Sequence, residues 1–210
     1  MDQTGRFITL EGGEGTGKST LIAGLSEAMR ARHMNVVATR EPGGTVLAEE
    51  VRRLALFPPR DEAWSPLAHA LLMNTSRDDH LEKFIRPQLA DGNWVLCDRF
   101  ADSTRAYQSV SGVAPETLLA IENAVVGATQ PDLTLVLDGD PEVLADRRQK
   151  RGVSDVFEDK ALSFHRDIRA AFLEIAEGAP ERCVIIDAEQ APDAVLESAL
   201  MQIEARLGWP

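Results

Sequence analysis

The sequence predicts an α/β protein: a five-stranded parallel sheet with helices on both faces, three layers in all. Three observations lead there. Five short runs rich in Val, Ile, Leu or Thr occur at residues 7–11, 35–40, 94–98, 133–138 and 184–187, each nearly continuously apolar, as strands covered on both faces are. The segments between them have helical periodicity and helix-forming composition. A glycine-rich stretch, Gly12 to Gly17, stands directly behind the first run.

Taken in order, the first helix is expected to open at Gly17 and to run to about Arg32. Further helices are expected over residues 46–56, 65–91, 115–126, 141–150, 159–177 and 192–207. Pro115, Pro141 and Pro192 fall where a first-turn proline is tolerated. With no repeat, low-complexity tract or long linker, residues 1–210 read as a single domain. Ligands of open parallel sheets bind beyond the carboxyl ends of the strands. Those ends carry Glu11, Arg40 with Glu41, Asp98 with Arg99, Asp138 and Asp187.

Composition excludes several classes of function. Thirty-four acidic against 22 basic residues give a net charge of -12, which repels nucleic acid and anionic membranes unless the bases cluster. No stretch approaches the ~18 apolar residues of a spanning helix, and the polar start has no targeting character; a cytoplasmic chain without nucleic-acid or membrane partners is expected. Cys97 and Cys183 sit inside apolar runs and read as buried, reduced thiols.

Gly12-Gly13-Glu14-Gly15-Thr16-Gly17-Lys18-Ser19, followed by Thr20, satisfies the Gly-x-x-x-x-Gly-Lys-Ser/Thr pattern between a strand and a helix. Such a loop turns its backbone N–H groups onto phosphate oxygens, and the helix behind it adds its positive end. Lys18 is placed to bridge the β- and γ-phosphates of a nucleoside triphosphate. The Ser19 hydroxyl is placed to ligate Mg²⁺ as a hard oxygen donor.

A switch-type GTPase would carry Asp-x-x-Gly behind its third strand and an Asn-Lys-x-Asp guanine reader. The only Asp-x-x-Gly match of that kind, Asp2 to Gly5, precedes the loop. The third strand ends instead in Asp98-Arg99-Phe100. Asp98 is placed to orient Lys18 or to hold the water shell of the metal. Arg99 offers a planar fork suited to a second phosphate, one belonging to an acceptor.

Three segments together resemble bacterial thymidylate kinase: the loop, Thr39-Arg40-Glu41-Pro42-Gly43-Gly44-Thr45, and Asp98-Arg99-Phe100 through Ser103-Thr104-Arg105-Ala106-Tyr107-Gln108. The resemblance covers essentially the whole chain and implies a P-loop fold with a short mobile lid at about 147–158. It implies phosphorylation of dTMP to dTDP with Mg-ATP, in dTTP synthesis. The alternative is a kinase for another deoxynucleotide or a deoxynucleoside.

Residue by residue, the resemblance implies that Glu14 touches the 3′-hydroxyl of the acceptor sugar and that Arg40 and Arg99 hold its phosphate. Arg77 matches the arginine that hydrogen-bonds thymine. Thr104 and Gln108 match further base contacts, and Tyr107 matches the ring under the deoxyribose that excludes a 2′-hydroxyl. Met73 stands where a phenylalanine usually covers the base. Arg147-Arg148-Gln149-Lys150-Arg151-Gly152 is a basic cluster in an acidic chain and resembles the lid. Because Gly15 occupies the place of a P-loop arginine, the transition-state cation falls to the lid, to Arg147 or Arg151, with Arg148 and Lys150 also open. Val156 stands where a lid arginine is frequent, while Asp155 and Glu158 match the acidic pair behind the lid, with Glu158 toward the metal. The loop from Ala188 to Pro192 matches the adenine enclosure. The family implies a homodimer, to which the 65–91 helix with Leu67, Leu71, Leu72, Leu81 and Phe84 could contribute.

Overall fold

The computed structural model describes residues 5–144 and 161–209. Five strands, β1 (Phe7–Glu11), β2 (Val36–Arg40), β3 (Trp94–Asp98), β4 (Leu133–Asp138) and β5 (Cys183–Asp187), form one parallel sheet in the order β2-β3-β1-β4-β5. The chain leaves β1 for one side of the sheet and reaches β4 on the other. The loop behind β1 therefore stands at the point where strand order reverses, the crevice where such sheets bind ligands. Register brings Arg40 opposite Asp98 and Leu10 opposite Asp98, so the polar strand ends finish at one edge.

Both faces are covered, which is why the strands read as continuous apolar runs. On one face Ile8, Leu10, Leu96 and Leu135 pack with Leu21, Leu25 and Met29 of α1 (Lys18–Arg30) and with Val195, Ala199 and Ile203 of α8 (Pro192–Leu207). The other face is divided. Phe7, Val95 and Cys97 meet Leu81, Ile85 and Phe100, while Val136 and Cys183 meet Ile168 and Phe172 of α7 (Leu162–Gly178). Both cysteines are free and buried.

The helices depart from the expected bounds in instructive ways. The first opens at Lys18 because Gly17 takes the left-handed conformation, φ +88. It ends at Arg30. The span 65–91 is α3 (Pro66–His80), a π-helical turn (Leu81–Ile85) and α4 (Arg86–Ala90). Pro87 has no N–H to continue an α-helical ladder, and the Arg86 N–H just before it reaches back five residues to Leu81 O, widening the turn. Helix α2 (Val46–Leu56) and helix α6 (Pro115–Val126) match expectation. Of the helix expected over 141–150, residues 141–144 form turns and the remainder lies outside the described residues. Helix α5 (Ala101–Val110) was not expected. Its sequence ADSTRAYQSV is largely polar, and its buried face includes Asp102, Thr104 and Gln108 as well as Ala106 and Tyr107, so it has no apolar stripe to betray it.

Candidate active site

The loop between β1 and α1 is folded around its own lysine. Gly12 has φ +133, and a Cβ there would stand 2.3 Å from Leu137 O, so only glycine fits. Lys18 Nζ donates to Gly12 O at 3.0 Å and to Gly13 O at 2.9 Å, and Thr16 Oγ1 donates to Gly13 O at 3.0 Å. Burial, reinforced by the nearby Arg99 charge, lowers the Lys18 pKa to about 8. Glu14, Asp98 and Glu11 offset the depression only in part.

Arg99 opens the corner between β3 and α5 with φ +68, in the left-handed region that a side chain seldom adopts. That turn sends its guanidinium back across the sheet edge. Nη1 donates to Gly12 O at 3.1 Å and Ser103 Oγ at 3.0 Å; Nη2 donates to Glu14 Oε1 at 2.5 Å and Tyr107 Oη at 3.2 Å. The Tyr107 hydroxyl in turn donates to Glu14 Oε1 at 3.0 Å. Burial opposes the charge on Arg99, but Glu14 and the other acidic groups around it outweigh burial and raise its pKa. Burial likewise raises that of Tyr107. Next to Arg99, Asp98 Oδ2 accepts from Ser19 Oγ at 3.0 Å, and Asp98 Oδ1 is buried with no hydrogen-bond partner among the described residues. Of the two roles open to Asp98, its hydrogen bond favours the Ser19 side rather than Lys18.

Arg77 lies further along the same cleft, on α3. Nε donates to Glu41 Oε2 at 2.8 Å, Nη1 to Asn74 Oδ1 at 2.9 Å, and Nη2 to Phe100 O at 2.9 Å and Thr104 Oγ1 at 3.0 Å. A guanidinium carries five N–H bonds. Four are committed, and one Nη1–H is without a hydrogen-bond acceptor among the described residues. Behind it, His80 Nδ1 meets Glu41 Oε1 at 3.1 Å and Nε2 meets Thr39 Oγ1 at 2.7 Å. A Cβ on Gly44, φ +90, would strike His80 Nε2 at 2.4 Å, and one on Gly43, φ +129, would strike Glu49 Oε1 at 2.4 Å, so Gly44 makes room for the imidazole and Gly43 for the carboxylate.

These parts surround one cleft of about 500 Å³. Its lining includes Glu14, Gly15, Gly17, Lys18, Ser19 and Thr20 at one end and Met73, Arg77, Thr104 and Gln108 at the other, with Arg40, Asp98, Arg99 and Tyr107 among the rest. Gly12, Gly13 and Thr16 face instead, together with Glu14, a small hollow bounded by Asp138, His165 and Arg169. Arg40 is half-exposed and paired with Glu49 at 3.1 Å. Arg147, Arg148, Lys150, Arg151, Asp155 and Glu158 lie outside the described residues. Sequence reasoning singled out neither Asn74 nor His80 for the site and gave no role there to Glu11, Glu41 or Ser103. Glu11 and Glu41 had one legible signal, a carboxylate at a strand's carboxyl end; the others depend on tertiary contacts.

Comparison with known proteins was decisive. The thymidylate kinase family model matches residues 10–199. The chain belongs to the thymidylate kinase family. Thymidylate kinase of Caulobacter vibrioides is 50% identical over 205 residues, covering 97% of this chain and 98% of its own. That of Bradyrhizobium diazoefficiens is 46% identical over 207 residues, covering 97% and 90%. Among solved structures, thymidylate kinase from Ehrlichia chaffeensis superposes with a TM-score of 0.78 at 30% identity, covering 95% of this chain and 98% of that one. The five-stranded parallel α/β architecture is thus that of thymidylate kinases.

Proposed function

We propose that the chain transfers the γ-phosphoryl of ATP to dTMP, giving dTDP and ADP on the route to dTTP. One observation carries this reading beyond family membership: Lys18 Nζ and Arg99 Nη1 converge on the single carbonyl oxygen of Gly12. A donor phosphate on the first cation and an acceptor phosphate on the second are then neighbours. Phosphoryl transfer depends chiefly on such alignment and on charge stabilisation.

In this reading the triphosphate takes the Lys18 ammonium from the carbonyls of Gly12 and Gly13, with Gly15, Thr16, Gly17, Ser19 and Thr20 offering loop and helix N–H groups. Arg99 turns from Glu14 to the acceptor phosphate, with Arg40 on its outer side. Glu14, released, accepts from the sugar 3′-hydroxyl. Tyr107 packs under the deoxyribose, Met73 covers the thymine, and Arg77, Thr104 and Gln108 read its edge. Arg147 or Arg151 supplies the remaining cation as the lid closes.

Mg²⁺ suits the residues present. The orphaned Asp98 Oδ1 and the Ser19 hydroxyl are hard oxygen donors side by side, the set a magnesium ion with several waters uses. Ser19 and Asp98 would hold it, with Glu158 as a further acid; when bound it neutralises charge on the β- and γ-oxygens. A homodimer fits the half-exposed Leu67 and Leu71 on α3. No helix among the described residues is long and apolar enough to cross a membrane, and the net charge of -12 disfavours nucleic acid. A cytoplasmic place agrees with both free thiols being buried.

The test is an acceptor panel: purified protein with Mg-ATP and dTMP, dUMP, dCMP or thymidine, followed by identification of the products. ADP and dTDP in equal amounts, with dTMP preferred, are expected. Preference for another acceptor would transfer the assignment to another nucleotide or nucleoside kinase.

A further inference from the structure

Glu11 ends β1 one residue ahead of the phosphate loop, is fully buried, and has no part in the mechanism above. Its carboxylate nevertheless gathers three donors. Oε1 accepts from Phe100 N at 2.8 Å and Ser103 N at 3.2 Å, and Oε2 accepts from Ser103 Oγ at 2.6 Å. The two N–H groups are two of the four left open at the start of α5, whose own N-cap, Phe100, has no side chain that can accept. A strand distant in sequence therefore caps this helix.

The third donor carries the consequence. Ser103 has one hydroxyl proton, and with Oε2 at 2.6 Å that proton is given to Glu11. Its oxygen is then left as a pure acceptor toward Arg99 Nη1 at 3.0 Å. A guanidinium only donates, so the contact holds only with the hydroxyl turned this way. Arg99 also sits in a strained backbone conformation, φ +68, which persists only where its surroundings impose it. Glu11 grips the residues on the far side of that strain, Phe100 and Ser103, while Arg99 N donates to Leu10 O at 2.9 Å on the near side.

We propose that Glu11 is a positioning residue for the transfer reaction, acting through the Ser103 hydroxyl to aim the Arg99 guanidinium at the acceptor phosphate. This rests on the reading of Arg99 given above. Glu11→Gln preserves shape and, through its carbonyl oxygen, the cap on α5. It places an amide N–H on Ser103 Oγ, which frees the serine proton to turn against Arg99. Ser103→Ala removes the relay and leaves Glu11 in place.

The experiment is a set of double-mutant cycles at pH 8 with Mg-ATP and dTMP, above the value of about 7 to which burial, with Asp102 nearby, raises Glu11. Each single variant is expected to lower kcat about tenfold with KM for ATP unchanged, as coupling within one hydrogen-bonded chain implies. The double variant is expected to be no worse than either single one. In an Arg99→Ala background neither change should lower the rate further. Multiplying losses in the double variant, a loss carried by KM for ATP, or a further loss without Arg99 would overturn the proposal. Should Glu11→Gln not fold, Ser103→Ala in the parental and Arg99→Ala backgrounds decides alone. If Arg99→Ala itself keeps parental activity, the reading of Arg99 falls and this inference with it. If Arg99→Ala is crippled while both singles are parental, only this inference falls.

Discussion

Lys18 and Arg99 donate to the same atom, Gly12 O, from 3.0 and 3.1 Å. Two cations on one neutral carbonyl repel each other, and part of the depression of Lys18 to about 8 comes from Arg99, after burial. Arg99 is balanced by Glu14 at 2.5 Å, and a phosphate drawn to either cation relieves the repulsion between the two.

Arg99→Ala removes one of these cations. We expect kcat/KM for dTMP to fall by about 10³-fold, the usual cost of losing a preorganised charge at a transferring phosphoryl group, with KM for ATP little changed. Steady-state kinetics in both substrates checks this; a loss under tenfold would return Arg99 to a plain ion pair with Glu14.

Glu14 holds Arg99 and Tyr107 through one oxygen. In Glu14→Ala, discrimination between dTMP and its 3′-deoxy analogue should shrink about tenfold or more, the worth of a hydrogen bond to a charged group. Competition between the two acceptors measures it, and unaltered discrimination would remove the sugar contact from the account.

The Glu41–Arg77 pair is almost wholly buried, each side chain being 3% exposed. Glu41→Ala strands the guanidinium and should cost about 3–5 kcal/mol of folding stability, read by urea denaturation. A cost below ~1 kcal/mol would mean that Asn74, Thr104 and Phe100 O suffice to hold Arg77.

Glu11 gives a pH signature of its own. Burial, and then Asp102, raises it from 4.5 to about 7, so between those values the folded chain binds more protons than the unfolded one. Stability from this group is full below 4.5 and is lost as pH rises through 7. The Tm of the parent relative to Glu11→Gln should therefore fall between pH 4.5 and 7 and level off above. A constant difference across that range contradicts the shift.

Much of the lining of this candidate cleft is legible in the sequence because a phosphate-type loop is a local pattern. A phosphate loop spans Gly12 to Ser19, and its glycines, lysine and serine are fixed by the turn they must make. Arg99 was legible from its place behind β3. Helix α5 was not, since Asp102, Thr104 and Gln108 share its buried face with Ala101, Ala106 and Tyr107, which breaks up the apolar pattern. His80 and Asn74 were hidden for another reason: on α3 they look like ordinary polar positions, and only folding sets them beside Glu41 and Arg77. The π-turn at Leu81–Ile85 has one signal in the sequence, Pro87, which lacks the N–H to continue an α-helical ladder.

The central claim is that donor and acceptor subsites adjoin across Gly12 O. Inhibition by a single molecule that joins adenosine to thymidine through a polyphosphate chain tests it most directly. The account predicts competition against both ATP and dTMP, with affinity well above that of either substrate alone. Competition against only one of them, or affinity no better than that of the separate nucleotides, would contradict it.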